Sequence, residues 1–386
     1  MKRFGICLLV FLLPPASLLS QTKSPAPPNP SGSHSATAST FDALVKKADA
    51  ARESDQTDEA MRLYKQAVGI KPSFAEGWWY LGMLHYEADQ YQEGRAEFRH
   101  VTGLKPEMAL AWAMLGLCEF EIKEYDGALV HLEHADQLKI PYEQSFYDVA
   151  QYHLALLFIR SGKFERAVKI IGDFAKLGKD SPQFVEAMGL AGLRKPLLPI
   201  ELPPLERELV LDVGRALCDS SARRAAQADR DRTELLRKYP NTPEIHFVAG
   251  SMALGNDSDQ ALEEWKAELA ISPGHALALA SIAGEYLKRG EYQTALPYAE
   301  RAVAASPGYF AAHAILGQIL AEGELDIPRG VHELETALRM APWQPQVHFA
   351  LATAYAKAGR KEDAAKERAE FLRLRSQDEV AVSKPQ

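Results

Sequence analysis

From Phe41 onward, apolar residues recur three or four apart in short runs separated by polar breaks. In residues 41–74 the run occurs twice, with a break near Ser54 to Thr57. That pattern predicts two short amphipathic helices and a turn. Residues 75–108 and 109–142 repeat the plan in register. A fourth copy spans 148–181 and arrives late, since Ala167 lies 39 residues beyond Ala128. The extra residues, around Ile140 to Tyr147, predict a longer loop. Gln183 to Leu193 reads as one more helix. Lys195 to Pro204 then reads KPLLPIELPP. Its four prolines exclude a regular helix and predict an extended connector, with a new helix starting near Leu205 or Glu206. The helical pattern is clear again in 242–275, 276–309, 310–344 and 345 to about 377.

A proline keeps time with these copies. Pro72 and Pro106 are 34 residues apart, as are Pro273 and Pro307, with Pro240 and Pro342 one residue off that spacing on either side. Small residues keep the same period: Ala60, Gly94 and Ala128, then Ala228, Ala261, Ala295, Gly330 and Ala364. A fixed period of this length means stacked copies of one supersecondary unit. The last helix, Lys361 to Arg375, is dense in charge. It suits the end of an array, which has no neighbour and needs a wettable face.

The N-terminus follows other rules. Lys2 and Arg3 precede an apolar run, Phe4 to Leu13, then Pro14 and Pro15 and small or apolar residues to Ser20. This is the layout of an export signal, too short to span a bilayer as a helix. Residues 1–20 are therefore expected to be a signal peptide, placing the chain in the periplasm or outside the cell. Retention as an N-terminal membrane anchor is the alternative. Residues 21–40, rich in Pro, Ser, Ala and Thr, are expected to be a tether.

The units resemble the tetratricopeptide repeat, a helix–turn–helix motif. Trp78, Leu81, Gly82, Tyr86, Gly94, Phe98 and Pro106 carry the resemblance in one copy. Trp112, Leu115, Gly116, Ala128 and Ala135 carry it in the next, and Leu351, Ala352, Tyr355 and Ala364 in the last. The resemblance implies an all-α fold, a right-handed α-solenoid of such repeats in two arrays. The arrays are expected at 41–194 and 205–376, joined by the connector 195–204, with a tail at 377–386. Three departures stand out: Arg232 replaces a large apolar residue, Glu268 replaces a small one, and the stretch around 181–204 keeps half a unit. The family's Lys, Asn and Arg clamp for a partner's terminal carboxylate is missing from the corresponding positions, which include Asp49, Trp79 and Met83.

Composition narrows the function. The formal net charge is −8, and basic runs interleaved with aromatics are lacking, so nucleic acid is not an expected partner. Phosphate-loop, nucleophile-elbow, dinucleotide and C-x-x-C signatures are missing too. His131 and His134 share a helix face but lack a third ligand, so packing or surface roles are expected and no metal or cofactor is assigned. Asn256-Asp257-Ser258 is a sequon whose expected role is a turn. Cys118 and Cys218, three repeats apart, are expected to be buried free thiols.

In tetratricopeptide arrays the open side of each first helix lines a concave groove. That side here carries Trp79, Met83 and Tyr86, then Leu117 and Phe120, then Tyr152, Leu156 and Ile159. Two readings stay open for this apolar stripe: a groove for a partner peptide or helix, or burial by packing within the array. The connector is likewise a hinge, a segment folded into the groove, or a passive spacer. The expected function is a non-catalytic scaffold that docks a protein or peptide in the cell envelope. An assembly module for polysaccharide or outer-membrane proteins, and an enzyme with an unrecognised site, are the alternatives.

Overall fold

The computed structural model describes residues 32–141 and 145–383. The expected signal peptide and the first part of the tether lie outside them. Among the described residues every regular element is helical, with nineteen α-helices and two 3₁₀ turns. Contacts divide the chain into two units between Ile170 and Ile171.

The first unit is built of consecutive helix pairs: α1 (Gly32–Glu53) with α2 (Thr57–Ile70), α3 (Ala75–Glu87) with α4 (Tyr91–Leu104), and α5 (Ala109–Glu121) with α6 (Tyr125–Gln137). Helix α7 (Ser145–Arg160) follows, and the division falls within α8 (Phe164–Lys176). The second unit continues with α9 (Pro182–Gly192), α10 (Arg207–Ser221) and α11 (Ala225–Lys238). Four regular pairs complete it: α12 (Ile245–Ala253) with α13 (Ser258–Ile271), α14 (Ala276–Lys288) with α15 (Tyr292–Ala305), α16 (Phe310–Glu322) with α17 (Ile327–Met340), and α18 (Pro345–Lys357) with α19 (Lys361–Ser383).

The turn inside each of these pairs except α12–α13 has one chemistry. A residue in the left-handed region ends the first helix: Asp55, Asp89, Lys123 and Glu324, or Gly290 and Gly359. The next amide reaches back five residues, as Gln90 N does to His85 O at 2.8 Å and Glu124 N to Glu119 O at 2.8 Å. This satisfies carbonyls that the helix end leaves without partners. Beyond the turn, a missing side chain lets the two helices meet. A Cβ on Gly116 would lie 2.8 Å from Leu132, and one on Gly317 would lie 2.6 Å from Leu334. Large side chains fill the space on either side. Tyr64, Leu81 and Phe98 are almost fully buried in the first unit, and Trp265, Ile282 and Leu316 in the second.

Three boundaries differ from the sequence reading. Helix α1 begins at Gly32, so the end of the expected tether is helical; no proline follows Pro30 there to stop it. Helix α19 runs to Ser383 and takes in most of the expected tail, since the next proline is Pro385.

The third is the proline segment. It keeps extended backbone at Leu198 and Leu202, as expected, but it is broken by tight turns and is no free spacer. It folds as two 3₁₀ turns, Pro199–Glu201 and Pro204–Glu206, with prolines in their first positions. Leu198 and Leu202 are 3% and 5% exposed. Leu198 N donates to Glu201 Oε2 at 2.8 Å, and Lys195 pairs with Glu206 at 2.7 Å. The segment is the loop of a helix pair, because α9 and α10 touch directly. A Cβ on Gly189 would lie 1.8 Å from Val210 O, and one on Gly214 would lie 1.9 Å from Val185 O. Periodicity splits these helices between two arrays, but their bare glycine faces bring them together.

Candidate functional site

The prolines that mark the period end the second helix of each pair, where carbonyl groups are left without intrahelical donors. Each of six proline carbonyls receives a side-chain N–H from the following pair. Trp78 Nε1 donates to Pro72 O, and Trp112 Nε1 to Pro106 O, both at 2.8 Å. His246 Nε2 lies 3.0 Å from Pro240 O, His313 Nε2 3.0 Å from Pro307 O, and His348 Nε2 2.9 Å from Pro342 O. Each donor stands six residues after its proline. At Pro273 that position is Leu279, which has no N–H in its side chain, and Arg301 donates instead at 2.9 Å. Repeats are thus fastened end to end by one bond made with three different side chains.

The two residues that departed from the repeat pattern are accommodated by charge. Arg232 pairs with Asp229 at 2.6 Å. Glu268 is fully buried, and its carboxylate accepts from Glu244 N at 3.0 Å and Phe247 N at 3.3 Å. It thereby caps the start of α12, whose preceding residue Glu244 is left-handed at φ 73°. His275 Nε2 contacts the Glu244 carboxylate at 3.0 Å. The sequon is a turn as read: Asp257 caps α13 through Asp259 N and Gln260 N.

The apolar stripe separates into two groups. Leu117, Leu156 and Ile159 are 1%, 4% and 0% exposed, so they are core rather than open groove. The reason is legible in their helices. Residues 113–119 of α5 and 154–159 of α7 are buried without interruption, and a helix apolar all round keeps no face for solvent. Trp79, Met83, Tyr86, Phe120 and Tyr152 are half-buried. Trp79 sets its ring edge-on to Phe98 at 5.4 Å, and Tyr86 does so to Tyr91 at the same distance. Phe120 meets Tyr125 at 5.4 Å and His153 of α7 at 4.7 Å. Tyr152 lies edge-on to His153 at 5.4 Å. Burial pushes the Tyr86 hydroxyl above its ordinary titration range, with Glu121 nearby adding to the effect. These five residues form the part of the stripe that keeps solvent contact.

His131 and His134 sit around Trp112, with ring centroids at 5.4 and 4.7 Å, and His131 Nδ1 lies 2.6 Å from Glu119 Oε2. Among the described residues no group of three or more metal-ligating side chains converges. Cys118 and Cys218 are free and buried, and burial pushes each thiol up to about 12. No helix of the described residues is long and apolar enough to cross a membrane.

A family model described as tetratricopeptide repeat matches residues 45–104, 81–135, 281–326 and 325–379. Comparison with curated protein sequences gives no match. Among solved structures, a crystal structure of MamA is 19% identical over 42% of this chain and 96% of that chain, with a TM-score of 0.37. MamA from Desulfovibrio magneticus RS-1 is 25% identical over 43% of this chain and 97% of that chain, with a TM-score of 0.38. The matched stretches fall on α1 to α6 and on α14 to α19. The unmatched middle holds the proline loop, the glycine-faced pair α9–α10 and the Glu268-capped α12. The helix pairs, their glycine contacts and the matched stretches together make this a chain that is all-helical over its described residues and carries tetratricopeptide repeats in both halves.

Proposed function

We propose that the chain is a non-catalytic scaffold exported to the cell envelope, where it holds a peptide or helix of a partner protein along its first unit. The observation that supports this reading is the remnant of the stripe: Trp79, Met83, Tyr86, Phe120 and Tyr152. They are aromatic or methionine side chains on three successive first helices, each with part of its surface in solvent. Aromatics and methionine are the side chains enriched at the centre of protein interfaces. Full burial of an exposed side chain of this size is worth ~1.5–3 kcal/mol and a half-buried one yields part of that, so binding at the micromolar level draws on all five residues together. Export rests on the basic start and apolar run of residues 2–13.

The test is capture from envelope extract with the chain from Gln21 onward, beside a Trp79→Ala/Tyr152→Ala variant. Both substitutions shorten half-buried side chains and leave Leu117, Leu156 and Ile159 in the core. Loss of one partner by a variant with unchanged helical circular dichroism is the expected result. Equal capture by both baits would remove the stripe from consideration.

A further inference from the structure

Three of the fastening bonds differ from the others in holding a titratable proton. At His246, His313 and His348, Nε2 faces a proline carbonyl at 2.9–3.0 Å, which can only accept. Nδ1 of the same rings faces a carboxylate: Glu264 Oε2 at 2.7 Å, Glu333 Oε2 at 2.6 Å and Glu367 Oε2 at 2.6 Å. A neutral imidazole has one N–H and cannot serve both. The arrangement therefore needs one more proton than a neutral ring and a carboxylate supply, either on the ring or shared on the carboxyl. The pairs are shielded: the histidine side chains are 16%, 10% and 7% exposed, and their carboxylates 16%, 14% and 14%.

The charges around them are acidic. Glu264 of α13 faces His246, and buried Glu268 of the same helix caps the first turn in which His246 sits. Glu333 of α17 faces His313. Glu367 and Glu370 of α19 face His348, and Arg373 holds Glu370 below the usual carboxylate range.

We propose that His246, His313 and His348 are protonated pins that clamp the end of one helix pair to the next, and that their loss of a proton loosens the second unit. The sign follows from the bonds. The protonated ring makes both contacts and a ring that has given up its proton keeps only one, so this stabilisation is present at low pH and is lost as pH rises. In the first unit the fastening bonds themselves carry no titratable proton, because indole N–H groups of Trp78 and Trp112 make them; its His85–Glu97 and His131–Glu119 pairs lie away from the proline carbonyls. The Pro273 junction is likewise held by a guanidinium, a permanent cation.

The test is made on the full chain. Long-range ¹H–¹⁵N spectra at about pH 6 should show three rings with both nitrogens protonated. Amide-exchange protection in α12, α16 and α18, compared at matched intrinsic rates, should fall by about tenfold or more between about pH 5.5 and about pH 8.5. Single-proton tautomers of His246, His313 and His348 at the lower pH, or unchanged protection in α12, α16 and α18, would overturn the proposal. A His313→Gln/His348→Gln variant should lose most of the pH dependence in α16 and α18, while His246 keeps it in α12. Should that variant fail to fold, the ring spectra of the unaltered chain still decide.

Discussion

At the residue scale, the same structural task is given to different side chains in different repeats. Six residues after each proline stands Trp, His or, in one repeat, Leu with Arg301 substituting from elsewhere. The choice is coupled to another position, three residues after the small residue of the second helix. Where a histidine fills the first site, Glu264, Glu333 or Glu367 fills the second. Where Trp78 or Trp112 fills it, Glu97 or His131 stands at the second and pairs elsewhere, with His85 at 3.1 Å or Glu119 at 2.6 Å. Glycine shows the converse, one residue type in unlike settings. A Cβ on Gly284 would meet nothing closer than Ile315 at 3.6 Å, an ordinary contact. Gly284→Ala should therefore stabilise the chain by about 1 kcal/mol through helix propensity, read as a higher Tm. The prolines and tryptophans were legible in the sequence because they recur. The shared hydrogen bond was not, since indole, imidazole and guanidinium have only an N–H in common.

At the scale of elements, the pairing of α9 with α10 is the clearest departure from the repeat. Their contact is backbone against backbone at Gly189 and Gly214, across a loop that holds four prolines. Gly214→Ala would drive a methyl group into Val185 O, which cannot rotate away as a side chain can. The expected cost is about 3 kcal/mol or more, seen as a lower unfolding midpoint in denaturant, and a neutral result would refute the contact. Sequence reasoning located α9 within one residue of its observed limits, from its apolar run, and the start of α10 within two, from the end of the prolines. It could not assign them to each other, because pairing across a long loop leaves no mark on the 34-residue period. The three buried residues of the stripe, Leu117, Leu156 and Ile159, were not told apart from the rest for a related reason. Its residues were chosen by register alone, whereas the unbroken apolar runs around Leu117 and Leu156 already lacked a wet face.

For the chain as a whole, the repeats determine architecture and leave chemistry sparse. The two thiols illustrate this. Cys118 and Cys218 lie in different units, each buried and each pushed up to about 12, so little thiolate exists near neutrality. A thiol reagent at about pH 8 should leave both unmodified in the native chain and label two per molecule after denaturation, counted by mass in the chain from Gln21 onward. Fast native labelling of either one would mean that its helix opens readily. Fold and repeat boundaries at this scale were legible from period and composition together. A partner was not, because a scaffold that binds through half-buried side chains uses residue types that its own core also uses.

The proline fastening also governs how such a chain can change its length. A copy such as 310–344 carries its own proline, Pro342, at one end and His313, the donor for its predecessor's carbonyl, near the other. A gene duplication that copies a whole repeat, such as residues 310–344, brings one new acceptor and one new donor and leaves the ledger of bonds closed. A duplication broken anywhere else strands a carbonyl at a helix end and shifts the glycine faces out of register. Growth and loss are thereby restricted to whole repeats, with the proline codon as the natural seam.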